Sequence, residues 1–200
     1  MANPTGAFGL RPVRHFNGAP WNGAVVPCYV GSDMATALFI GDPVLLTTDI
    51  DDQHAYPTMY SIMPSAGTSG IIVRGAIVAF SPLYTDLSKV YNPASTERIA
   101  YVCMGHDVVF QIRGDGSGTP AVSYVGTNAE MVATAAGSTI TGLSGFHLDE
   151  TTPTTTKAFP LHIVGIANQS DNEFGDNVIW EVILNTSLNA VGDITGVTSA

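Results

Sequence analysis

Apolar residues along this chain recur at strand spacing and almost never at helix spacing. Residues 108–113 alternate Val108, Phe110 and Ile112 against Val109, Gln111 and Arg113. A period of two sends successive side chains to opposite faces of a strand. Residues 178–185 repeat the pattern, with Val178, Trp180, Val182 and Leu184 on one face and Ile179, Glu181, Ile183 and Asn185 on the other. Further apolar runs predict strands at 24–30, 71–73, 76–80, 98–104 and 159–168, and shorter ones at 121–126, 138–141 and 146–149. Residues 37–48 form two apolar halves around Gly41-Asp42-Pro43, where proline removes a ladder donor and favours a bend or an edge. Gly105-His106, between 98–104 and 107–113, predicts a hairpin. No segment keeps apolar residues at i, i+3, i+4, i+7 over three turns, and 128–136, short and rich in Ala and Thr, reads as strand or loop. Short strands without crossover helices predict an all-β fold, an antiparallel β-sandwich, jelly roll or barrel.

Length and charge divide this picture. Two hundred residues suit a single domain. The first 32 residues hold no Asp or Glu but include Arg11, Arg14 and His15, whereas the remainder sets all 17 carboxylates against 5 Lys/Arg. That segregation predicts an extended basic N-terminal arm over residues 1–23, a β-sandwich body over 24–190 and a small, polar tail over 191–200. The net charge of −10 opposes binding to nucleic acid, whose phosphates would be repelled along most of the surface. No secretory leader is legible, and the longest apolar run, 71–80, is broken by Arg74 and Gly75, so the expectation is a protein made in a cytoplasm with no membrane partner. Cys28 and Cys103 lie in apolar stretches and are expected as buried free thiols.

Motifs for chemistry are thin. Asp49, Asp51 and Asp52 cluster in one loop and Asp171, Glu173 and Asp176 in another, but neither has calcium-loop spacing, and both read as solvated carboxylates. The five histidines form no metal-binding pair. Gly142-Leu143-Ser144-Gly145 lacks the spacing and the helix of a nucleophile elbow, and Cys103 with His106 is not held as a pair by strand geometry. Gly114-Asp115-Gly116-Ser117-Gly118 follows a strand but opens no helix, so it reads as a loop and not a phosphate cradle. No catalytic residue, cofactor or metal is expected. Arg74, Arg98 and Glu181 interrupt apolar runs; they either face solvent in alternation or lie at an interface.

Four segments carry a resemblance. F-G-L-R-P-V-R-H-x-N-G-x-P-x-N-G (8–23), A-T-A-L-F-I-G-D-P-V (35–44), S-G-F-H-L-D (144–149) and D-N-E-F-G-D-N (171–177) make the chain similar to small capsid-associated proteins of tailed bacteriophages. Some similar proteins are cement or decoration proteins. The resemblance implies a non-enzymatic virion protein that coats the exterior of an HK97-type shell, acts as a homodimer or homotrimer and binds the major capsid protein. Phe8, Leu10, Arg11, Arg14, His15 and Trp21 are then the expected capsid or subunit contacts, and the body should fold without residues 2–23. A tail or head-fibre β-domain binding host glycans is the alternative; it would want an exposed aromatic cluster.

Overall fold

The computed structural model describes residues 3, 5–47 and 59–185. These residues form twelve strands and one short 3₁₀ turn: β1 (Arg11–His15), β2 (Val26–Val30), β3 (Pro43–Thr47), β4 (Tyr60–Pro64), β5 (Gly75–Phe80), β6 (Arg98–Cys103), β7 (Val108–Arg113), the turn at Val122–Tyr124, β8 (Asn128–Ala129), β9 (Met131–Ala133), β10 (Phe146–Leu148), β11 (Leu161–Ile166) and β12 (Ile179–Leu184). The all-β expectation holds. The sequence also predicted short strands at 121–126, 71–73 and 138–141; the first is the 3₁₀ turn and the other two lie outside the named strands. The expected Asp49-Asp51-Asp52 loop and the tail 191–200 fall outside the described residues.

Two assemblies are packed together. Strands β2, β4, β3, β5 and β6 close into a barrel in which β2 and β4 run parallel and the other pairs antiparallel. Strands β1, β7, β12, β11 and β8 form an antiparallel sheet in that order, and β9 with β10 makes a two-stranded ribbon. The barrel interior is filled by Cys28, Val30, Val44, Ile62, Ile77, Ala100 and Val102. A larger core lies between the barrel wall and the sheet. Ala76 and Cys103 meet there with Leu10, Phe110, Ile112, Trp180, Val182, Leu161 and Ile163. The face of β12 read from the sequence as apolar (Val178, Trp180, Val182, Leu184) is the one buried in this core.

The predicted hairpin at Gly105-His106 is a corner instead. Both neighbours of β6 are barrel strands, β2 and β5, whereas β7 is flanked by β1 and β12. The turn residues therefore carry the chain from barrel to sheet, and local turn chemistry could not distinguish the two. Strand β7 is also buried on both faces and not on one alone: Val109, Gln111 and Arg113 are covered as well as Val108, Phe110 and Ile112. An internal strand with pairing on both edges and cover on both faces loses the alternation of burial, though it keeps the alternation of residue type.

Over Arg11–His15 the N-terminal segment is a strand of the body's own sheet. Arg11 and Pro12 lie opposite Gln111 and Phe110, and a bulge before Arg14 shifts the register so that Arg14 faces Val109. Pro12 suits an edge strand. The outer side of β1 is partly taken by the returning chain, with the His15 amide donating to Ala19 and the Trp21 amide to Val13. The opposite edge is only two residues long, and Asn128 in β8 exchanges backbone hydrogen bonds with Thr154.

Candidate functional site

The six residues expected as contacts separate into two groups. Leu10 is 1 % exposed and belongs to the main core, and Trp21 packs partly buried against the same core, its indole N–H without an acceptor among the described residues. These two serve the fold. Phe8, Arg11, Arg14 and His15 gather with Gln111, Arg113 and Glu181 on the outer face and rim of the sheet. Arg11 donates to the Gln111 side-chain Oε1 at 2.7 Å, Arg14 pairs with Glu181 at 2.6 Å, and His15 Nδ1 lies 2.9 Å from Asp107 Oδ2. The guanidinium carbons of Arg11 and Arg113 stand 4.7 and 5.5 Å from the centroid of one ring, that of Phe8. Glu181 thus faces outward in alternation and is paired with Arg14 across the sheet.

Register explains the cluster. Arg11 faces Gln111, Arg113 follows Gln111 by two residues, and Glu181 lies across from Gln111 on β12, so all project from one face. The sequence separation between Arg11 and Arg113 hid this grouping, because only strand pairing brings them together.

A second surface is built on the connection between β5 and β6. Arg98 is 8 % exposed, and its guanidinium donates to the carbonyl oxygens of Ser81, Tyr91 (2.8 Å) and Lys89 (3.2 Å) while lying over the Phe80 ring at 5.2 Å. One planar fork thereby holds residues 81–97 from inside. Asn92 exchanges backbone hydrogen bonds with Leu38, and Tyr91 stacks on Phe39 with centroids 5.2 Å apart. This braced loop nevertheless leaves Tyr84 93 % and Leu87 77 % exposed. Beside it Gly142 abuts Val90, in a turn that leaves Ile140 88 % exposed. An apolar groove of about 580 Å³ adjoins through Phe39, Phe146 and several alanines, with Asp42 in its lining. Arg98→Met is expected to lower stability by about 2–4 kcal/mol, since three half-buried carbonyls lose charged donors. It should also open residues 81–97 to limited proteolysis, and an unchanged digestion pattern would refute the clamp.

Reactive groups elsewhere are engaged in structure. Burial pushes the Cys28 thiol up to about 12 and raises that of Cys103, the opposite of what a nucleophile needs. The two thiols are free and buried, as the sequence predicted. Burial lowers the pKa of His147 and of His162; their Nδ1 atoms lie 2.8 Å from Thr134 Oγ1 and 2.7 Å from Asn128 Oδ1. Among the described residues no three His, Cys, Asp or Glu side chains converge on a possible metal position.

The glycine-rich segment 114–118 has a physical cause that the sequence did not reveal. It wraps the fully buried Glu150, whose carboxyl accepts from Trp180 Nε1 at 3.0 Å and from the Gly116 amide at 3.0 Å. A Cβ at Gly114 would strike that carboxyl, and one at Gly118 would strike the Glu150 main chain. Burial pushes Glu150 up to about 7, its two N–H donors only partly restoring the charged form. Asp42 is likewise raised to about 6 by burial, against hydrogen bonds from Ser144 and the Phe39 amide. Trp180 itself is fully buried. Comparison of the chain with protein-family models, with curated proteins and with solved structures returns no match.

Proposed function

We propose that this protein is a structural component of a phage head that binds the exterior of an HK97-type shell and cements neighbouring capsomers. The observation that carries the reading is the pairing of internal bracing with external apolar side chains. Tyr84, Leu87 and Ile140 are 93, 77 and 88 % exposed, yet the loop bearing Tyr84 and Leu87 is fixed from inside by Arg98. Large apolar side chains held out on braced loops mark a surface made to be covered by another protein. The resemblance in residues 8–23, 35–44, 144–149 and 171–177 supplies the kind of partner, the major capsid protein together with other copies of this chain. The barrel and sheet take the place of the β-sandwich or jelly-roll body expected of such a protein. Repetition around an icosahedral lattice turns modest single contacts into high avidity. An acidic molecule also suits the outside of a shell better than the DNA-filled inside.

The test uses shells assembled from the cognate major capsid protein. Tyr84→Asp with Leu87→Asp is expected to leave the melting temperature within about 2 °C, because exposed positions contribute little to stability. Co-sedimentation with shells should fall at least about tenfold, the effect of losing roughly 1.4 kcal/mol per site. Undiminished co-sedimentation of the folded double variant would sink the proposal.

A further inference from the structure

The outer face of the sheet holds more positive charge than its own carboxylates neutralise. Three of the seven Lys/Arg of this acidic chain, Arg11, Arg14 and Arg113, share that face. Glu181 answers Arg14. Neither Arg11 nor Arg113 forms an ion pair among the described residues: Arg11 donates to a neutral amide, and Arg113 donates one N–H to the Asn177 carbonyl oxygen at 3.3 Å. Arg113 is only 6 % exposed, and its Nε–H has no acceptor among the described residues. A buried guanidinium with an unmet donor is costly, and a second cation on the same face raises the cost. Burial, followed by the charge of Arg11, lowers the pKa of Arg113, and the charge of Asp171, which forms no ion pair with it, only partly offsets this.

The ring of Phe8 lies against both guanidiniums. Phe8 belongs to a strap fixed at its far end by Asn3, whose amide donates to the Glu173 and Asp176 carbonyl oxygens at 2.9 Å each. Gly6, between those anchors, has a left-handed φ of +114° and open space around the Cβ position. The Phe8 carbonyl packs against Gly41, so uncovering the guanidiniums is a rotation of the Phe8 ring about its side-chain torsions, which leaves Leu10 in the core.

We propose that Arg11 and Arg113 form a receptor for a carboxylate presented by a partner polypeptide, and that Phe8 is its cover. The planar forks of two arginines suit carboxylate oxygens, and an acidic side chain would supply the acceptor that Arg113 lacks. The inference deepens the structural reading above by giving the partner segment a chemistry, an exposed Asp or Glu.

The test is a titration of the full chain followed by the side-chain Nε–Hε NMR signals of its five arginines. A blocked Asp-Glu-Asp tripeptide is the probe, with a blocked Asn-Gln-Asn tripeptide and inorganic phosphate as controls. The Arg11 and Arg113 signals should shift saturably with the acidic peptide while those of Arg74 and Arg98 stay in place. Arg11→Gln, at an exposed position, should weaken binding at least about tenfold, and Phe8→Ala should strengthen it severalfold. Absence of a saturable shift, equal binding by Arg11→Gln, or an equal response to Asn-Gln-Asn overturns the receptor. Phosphate binding as tight as the peptide overturns the polypeptide ligand in favour of a free anion. Shell binding without peptide binding defeats this inference alone, and peptide binding without shell binding defeats only the capsid reading.

Discussion

A chain lacking residues 2–23 is expected to lose cooperative folding. Leu10 sits 1 % exposed in the core between barrel and sheet, and truncating a buried leucine to alanine alone costs about 2–5 kcal/mol. The deletion also strips β1 from β7 along the Arg11–His15 register, removes the Leu10 amide's hydrogen bond to Gly41 and leaves Glu181 without Arg14. Together these losses approach the whole stability of an ordinary domain, about 5–15 kcal/mol. The measurement is a thermal melt by circular dichroism, in which the truncated chain should show no sharp transition. A melt within a few degrees of the intact protein would restore the separable arm that charge alone suggests. A single substitution sharpens the point. Gly9 has a left-handed φ of +66°, and a Cβ there would lie 2.6 Å from the Ser144 Cβ and closer still to the Gly41 carbonyl oxygen. Gly9→Val should therefore destabilise by more than about 3 kcal/mol, combining a strained backbone angle for a β-branched residue with a collision against the Gly41 and Ser144 segments.

Glu150 should contribute a share of stability that falls as pH rises from 6 to 8. Its folded pKa of about 7 lies above the ordinary carboxyl value of 4.5, so the native state holds its proton more tightly than the unfolded chain. Its stabilising share is complete below pH 4.5 and is lost as pH passes through 7. Asp42, raised to about 6, acts in the same sense at slightly lower pH. His147 and His162 act oppositely, because their lowered pKa values make acid destabilising below the ordinary histidine range. Unfolded histidines titrate around 6.5, so this opposing share extends across the same pH range, and the Glu150 share is isolated as the difference between the intact protein and a Glu150→Gln variant. From pH 6 to 8 the Glu150 share amounts to about 1 kcal/mol, or about 3 °C in melting temperature for a chain of this size. Glu150→Gln should remove that share, so that stability falls less, or rises more, from pH 6 to 8 than in the intact protein. It should also lower stability at pH 6, because its amide turns a donor toward either the Trp180 or the Gly116 N–H. An equal slope in both proteins would show that another group controls the titration.

The elements with clear period-two patterns were legible in the sequence: β7, β11 and β12 lie where alternation and apolar runs place them. Strand β1 was not, because Arg-Pro-Val-Arg-His has the composition of a loop, and its strand character comes from β7 beside it. Strand β4 was missed for a similar reason: Tyr60–Pro64 owes its place to barrel closure between β2 and β3. The corner at Gly105-His106 shows the limit from the other side, since the turn residues were recognised and the partners were not. Of the candidate surface, Arg11 and Arg14 could be named from charge segregation, and Arg98 stood out as a charge within an apolar run. Arg113 gave no such signal, because its position in an alternating strand matches that of any solvent-facing arginine. Glu150 was equally hidden: the glycines surrounding it resemble a flexible loop until the carboxyl they enclose is seen.

The way β1 and β8 end the sheet bears on how the molecule behaves when crowded. Exposed strand edges let chains add to one another without limit, the route by which β proteins form fibres. Here one edge has a proline, a bulge and the returning residues 19–21 along it, and the other is two residues long and already bonded to Thr154. The five barrel strands have no edge at all. Copies held at high local concentration are thus denied an easy path to aggregation through the backbone. Contact between copies is then confined to side chains, which do not propagate strand by strand as backbone pairing does.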